Sequence, residues 1–104
     1  MSVLVEFAMF PTDKGESVSS YVSRIIKFID ESGVPYKLTP MGTIFETETM
    51  EEATRVLNQA YKLLEPDCNR VYCTAKFDIR KGKSNRLEQK IKSVEQKIGK
   101  EVRK

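Results

Sequence analysis

Ser17, Ser19, Ser20, Tyr21, Tyr36, Thr43 and Glu46, with the thioether of Met41 among them, are the residues through which this chain could address a small molecule. Hydroxyls donate and accept hydrogen bonds, a carboxylate accepts them, and a tyrosine face attracts a cation. Such a set suits recognition of a small polar aromatic compound. Bond-making chemistry has less support: the 104 residues include no histidine, the commonest general base near neutral pH and the commonest nitrogen ligand for metals. Carboxylate, lysine or cysteine chemistry remains, but no acid pair stands beside a nucleophile. Cys68 and Cys73 are too few for a disulfide framework and lack the spacing of redox or zinc pairs, which points to a reducing cytoplasm. The expectation is a protein that binds rather than catalyses, without metal or cofactor.

Those residues must be positioned by elements that the apolar periodicity marks out. Val3, Val5, Phe7 and Met9 alternate with Leu4, Glu6, Ala8 and Phe10, which predicts a first strand. After a turn over residues 11–16, Ser17 is placed to cap a helix whose stripe is Val18, Val22, Ile25, Ile26 and Ile29. Gly33 and Pro35 end it, and residues 36–39 form a short strand with Leu38 inward. Pro40, Met41 and Gly42 turn into a third strand over 43–48. Thr49 followed three residues later by Glu52 is a capping box, opening a helix that buries Ala53, Val56, Leu57, Ala60 and Leu64.

Residues 69–80 alternate again, with Val71, Cys73, Ala75, Phe77 and Ile79 on an oily face. The other face holds Arg70, Tyr72, Thr74, Lys76, Asp78 and Arg80. Ser84 or Asn85 then caps a last helix striped by Leu87, Ile91, Val94 and Ile98. The order βαββαβ plus a terminal helix predicts one ferredoxin-like α+β domain over residues 1–104. Right-handed crossovers give an antiparallel sheet ordered 4-1-3-2, two helices covering one face. The other face is left for solvent, a partner or the third helix.

That topology gathers the exit of strand one with residues 17–21, the turn at 40–43 and the start of strand four at one end of the sheet. The predicted ligand contacts there are Ser19, Ser20, Tyr21, Tyr36, Met41, Gly42, Thr43 and Glu46. Glu46 has an alternative role as a partner for Lys76 or Arg80 on the open face. That face, with Glu6, Arg70, Tyr72, Thr74, Lys76, Asp78 and Arg80, predicts a homo-oligomer interface. No apolar run approaches the ~20 residues that span a bilayer, and the N-terminus runs into the first strand with no basic stretch and apolar h-region, so the expectation is a soluble, unprocessed chain.

Residues 81–104 hold nine Lys or Arg against three Glu, while the chain as a whole carries +3. A solvated basic helix face explains this, and RNA binding is the rival. An RNA-binding sheet needs aromatics in mid-strand, where this chain offers Leu4, Glu6, Ala8, Ile44 and Glu46, so nucleic acid is disfavoured. An acylphosphatase-like loop after strand one would require more than Lys14 between Asp13 and Glu16. A regulatory module sensing another metabolite through the same end of the sheet stays open.

Four stretches in order, SVSSYV at 17–22, YKLTPMGTIFETE at 36–48, RVYCTAKFDIR at 70–80 and KIKSVEQK at 90–97, resemble the small thiamine-binding protein family, relatives of the YkoF-like proteins. The resemblance covers nearly the whole chain. It implies a ferredoxin-like subunit, tetramers built from dimers, and binding of thiamine or its hydroxymethylpyrimidine part without catalysis. Thr47 stands where the family pattern has glycine.

Overall fold

The computed structural model describes residues 1–103. Four strands, β1 (Ser2–Pro11), β2 (Tyr36–Thr39), β3 (Gly42–Thr47) and β4 (Val71–Arg80), form one antiparallel sheet ordered β2-β3-β1-β4. This is the ferredoxin-like α+β arrangement inferred from the sequence, its strand order counted from the opposite edge. Helices α1 (Ser19–Ser32) and α2 (Met50–Leu64) cover one face, and α3 (Arg86–Ile98) is the added terminal helix.

The core forms where the strand and helix periods meet. Val3, Val5, Phe7 and Met9 of β1 and Phe45 of β3 pack against Ile25 and Ile29 of α1 and against Ala53, Val56, Ala60 and Leu64 of α2. Phe7 and Phe45 meet edge to face at 5.6 Å, with β1 and β3 in register as Phe7 opposite Thr43 and Val5 opposite Phe45. The capping box at α2 forms as its spacing requires: Glu52 N donates to Thr49 Oγ1 at 3.1 Å.

Several expectations need correction. Val18, not Ser17, occupies the N-cap of α1, and its carbonyl accepts from Tyr21 and Val22 while no side chain caps the helix. Leu38 lies opposite Thr43 on the core-side face of the sheet, as expected, but is 59% exposed, because on this four-residue edge strand it borders a cavity instead of the packed core. The oily face of β4 lies on the same side as the β1 core, since Val5 pairs with Phe77 and Val3 with Ile79. Yet Phe77 is 38% and Ile79 49% exposed, because α1 and α2 centre on β1 and β3 and leave this edge uncovered. The third helix takes the opposite face of the sheet, against β1 and β3. It seats Leu87 and Ile91 half-buried, while Val94 and Ile98 of the same stripe stay exposed.

Candidate functional site

A cavity of about 260 Å³ opens between the first half of α1, the end of β1 and the β2–β3 turn. The N-cap Val18 and Val22, Ile25 and Ile26 of α1 line it, with Phe7 to Phe10 from β1 and Met41, Gly42 and Thr43 from the turn. None of the lining residues carries a charge. The pleat puts Thr43 on the core side of β3, where it is 4% exposed, and no hydrogen bond ties up its hydroxyl among the described residues. Met41 stands 88% exposed at the rim.

Thr39 builds the turn and was not singled out by its sequence context. Its Oγ1 donates to the Gly42 carbonyl at 2.8 Å and accepts from the amides of Gly42 and Met41 at 3.1 and 3.3 Å. The Thr-Pro-x-Gly pattern was the available signal, since a threonine before a turn commonly binds backbone two or three residues on. Gly42 is required by a close approach: a Cβ there would lie 2.8 Å from the Phe7 carbonyl oxygen.

The structure brings together only part of the predicted set. Met41, Gly42 and Thr43 line the cavity, whereas Ser19, Ser20, Tyr21, Tyr36 and Glu46 do not. Ser19 and Ser20 are exposed on the first turn of α1, where the Ser20 carbonyl accepts from the Ser23 hydroxyl. Tyr21 packs against the core with the Arg24 guanidinium 4.8 Å from its ring centre, and Arg24 in turn grips Asp67 in a two-pronged pair of 2.8 and 2.9 Å. Those Arg24 hydrogen bonds hold the Asp67 carboxyl down at about 2. The Tyr36 hydroxyl donates to Asp30 at 2.8 Å, which raises its pKa.

Glu46 lies on the opposite face of the sheet. Its carboxylate accepts from the Arg86 amide at 3.0 Å, the Leu87 amide at 3.1 Å and the Ser2 hydroxyl. Burial pushes its pKa up, but these donors and the Arg86 charge outweigh burial and leave it below the usual carboxylate range. Lys76, considered as its partner, pairs instead with Glu6 at 2.7 Å. Thr47 shares the core-side face with Thr43 but ends β3 at the far side from the cavity, its hydroxyl donating to the Thr49 carbonyl at 2.8 Å.

The predicted interface residues Tyr72, Thr74, Lys76, Asp78 and Arg80 of β4 are exposed, as is Arg70 just before the strand, with Glu6 beside them on β1. Tyr72 stacks obliquely on Phe10 at 5.9 Å, next to the mouth of the cavity.

A model of the family described as thiamine-binding protein matches residues 5–95. The chain belongs to the thiamine-binding protein family. A UPF0045 protein of Mycobacterium bovis is 34% identical over 95 residues, covering 91% of this chain and 93% of the relative. One from Methanocaldococcus jannaschii is 32% identical over 92 residues, 88% of this chain and 91% of its own. The crystal structure of a hypothetical protein from that archaeon superposes with a TM-score of 0.79 at 31% identity over 89% of this chain and 95% of its own. A Thermotoga maritima structure, described as a proposed thiamine biosynthesis or salvage protein, has a TM-score of 0.77 at 22% identity over 90% of this chain and 99% of its own, a likeness of fold. In this member of the family the cavity at the β2–β3 turn is the concavity that contains predicted ligand residues from the turn itself.

Proposed function

We infer that this chain is a non-catalytic binding protein for thiamine or a related small molecule, and that it holds the neutral hydroxymethylpyrimidine ring in the cavity between α1 and the β2–β3 turn. The observation that carries this reading is an uncharged, largely apolar cavity lined by the otherwise buried Thr43, whose hydroxyl makes no hydrogen bond among the described residues and stays accessible to a ligand. Its volume of about 260 Å³ falls just below the ~300–1,000 Å³ of drug-sized pockets, which suits one ring better than two. A thiazolium cation finds no carboxylate in the lining and would project past Met41 toward solvent. Thr43 offers a donor and an acceptor to an aminopyrimidine edge, and the thioethers of Met9 and Met41 adapt to its faces.

The family match supports a small-molecule ligand. Assembly as a homo-oligomer, with a tetramer built from dimers as the expected form, fits an edge strand of ten residues that exposes Tyr72, Phe77 and Ile79. Glu6, Arg70, Thr74 and Lys76 would supply the polar part of that contact, while Asp78 and Arg80, expected from the sequence to join them, border the groove beside α3. No described helix is long and apolar enough to cross a membrane, and a cytoplasmic setting suits two free cysteines.

The test is calorimetric titration with hydroxymethylpyrimidine and with thiamine, on the wild type and on Thr43→Val. Saturable binding of the pyrimidine, weakened by about 1–3 kcal/mol in the variant, is the expected result. No binding at millimolar ligand, from protein shown to be free of carried-over ligand, would overturn the reading.

A further inference from the structure

A larger concavity, about 860 Å³, opens between the end of β4, the connection at 81–85 and one side of α3. Five cationic side chains line it, Arg80, Lys83, Arg86, Lys90 and Lys97, against a single carboxylate, Asp78. Arg86 is already engaged: it pairs with Asp78 at 2.9 Å and donates to the Ser2 and Asp78 carbonyls. The other four form no ion pair among the described residues. The formal excess of four positive charges within one groove exceeds the net +3 of the whole chain.

This concentration follows from the fold. Arg86, Lys90, Ser93 and Lys97 recur at helical spacing and so share a face of α3. Docking of α3 on the open sheet sets that face against Arg80 of β4. Like charges gathered on the walls of a concavity focus a positive potential, which a bound anion relieves. The amides at the N-terminus of α3 are not available to such an anion, because Glu46 occupies those of Arg86 and Leu87. Recognition would therefore rest on side chains. The lining holds no aromatic residue on which bases could stack, and its size is that of a small-ligand site.

We propose that the groove between β4 and α3 binds a compact polyanion of the pyrophosphate class. It shares no lining residue with the cavity at the β2–β3 turn, so the two sites are separate. Lys83 and Lys90 act as mobile point charges on the phosphoryl oxygens, and the Ser84 and Ser93 hydroxyls donate to them.

Titration calorimetry with inorganic pyrophosphate, at two salt concentrations, tests this on the wild type and two double variants. Lys83→Gln with Lys90→Gln alters the groove, while Lys27→Gln with Lys62→Gln removes the same charge from exposed positions on α1 and α2. The expected result is saturable binding that weakens with salt, falls tenfold or more in the groove variant and stays within twofold in the control, both variants keeping the wild-type circular dichroism. Absence of saturable binding at millimolar pyrophosphate would overturn the proposal, as would equal losses in both variants. Tighter binding of a single-stranded RNA, lost in the groove variant, would overturn it in favour of a nucleic-acid surface.

Discussion

Glu46 of β3 caps a helix that begins forty residues later: its carboxylate accepts the Arg86 amide at 3.0 Å, and the Leu87 amide beside it at 3.1 Å. The local N-cap residue, Asn85, sits in the left-handed region at φ 54° and makes no side-chain cap. A strand residue thus supplies what the helix lacks, satisfying donors that an α-helix leaves open and placing a negative charge at the positive end of its dipole. The same contact pins α3 to the open face, helped by Arg86 Nε donating to the Ser2 hydroxyl at 3.0 Å.

Replacing Glu46 with alanine should therefore loosen α3 before it unfolds the sheet. The expected loss is about 1–3 kcal/mol, the cost of leaving donors without their acceptor. Hydrogen exchange should show protection lost over α3 and kept in β1 and β3. Pyrimidine affinity at the separate cavity should be unchanged.

The same carboxylate sets an acid limit on α3 docking. Its folded pKa lies below the ordinary value near 4.5, so folding favours the ionised form. The stabilisation is complete above about pH 4.5 and is lost as pH falls through the lower folded value. An acid titration followed by hydrogen exchange should release α3 in that window, and Glu46→Gln should remove the pH dependence.

Asp67 gives an independent check on electrostatics. Its carboxyl, held by Arg24, should titrate at about 2, and the contribution of the pair should vanish as pH falls through that value. Carbon-13 NMR of the carboxyl should report this midpoint in the wild type. In Arg24→Ala the midpoint should return toward ordinary aspartate behaviour.

Gly42→Ala should damage the cavity from its floor. A Cβ lying 2.8 Å from the Phe7 carbonyl oxygen meets backbone, which cannot swing aside, so β3 must shift away from β1. Destabilisation of about 1–3 kcal/mol is expected, of the order seen when a packed site is overfilled. Denaturant unfolding measures the loss, and pyrimidine affinity should fall with it.

Thr39→Val should leave the fold standing but free the turn. It removes one donated and two accepted hydrogen bonds around Met41 and Gly42, at about 0.5–1.5 kcal/mol for a typical bond. Weaker pyrimidine binding and an unfolding midpoint lowered by several degrees, with the native circular dichroism kept, is the expected pattern.

Local spacing determined the elements of this chain. Alternation marked β1 and β4, the i, i+3, i+4 stripes marked α1 and α2, and the Thr49 and Glu52 pair marked a helix start that the structure reproduces. Handedness of the crossovers then fixed the sheet order, because a right-twisted strand returns through a helix in one sense only. Sequence also marked the turn at residues 40–43 that borders the cavity, since Pro and Gly punctuate chains locally. Tertiary structure alone decided what Glu46 does, because its partners are amides forty and forty-one residues away. It also decided that Tyr36 binds Asp30, that the oily face of β4 stays uncovered and that scattered cations of α3 meet Arg80 across a groove. Parity assigns a side chain to a face, but which layer covers that face, and how far it reaches, depends on where helices distant in the chain come to rest.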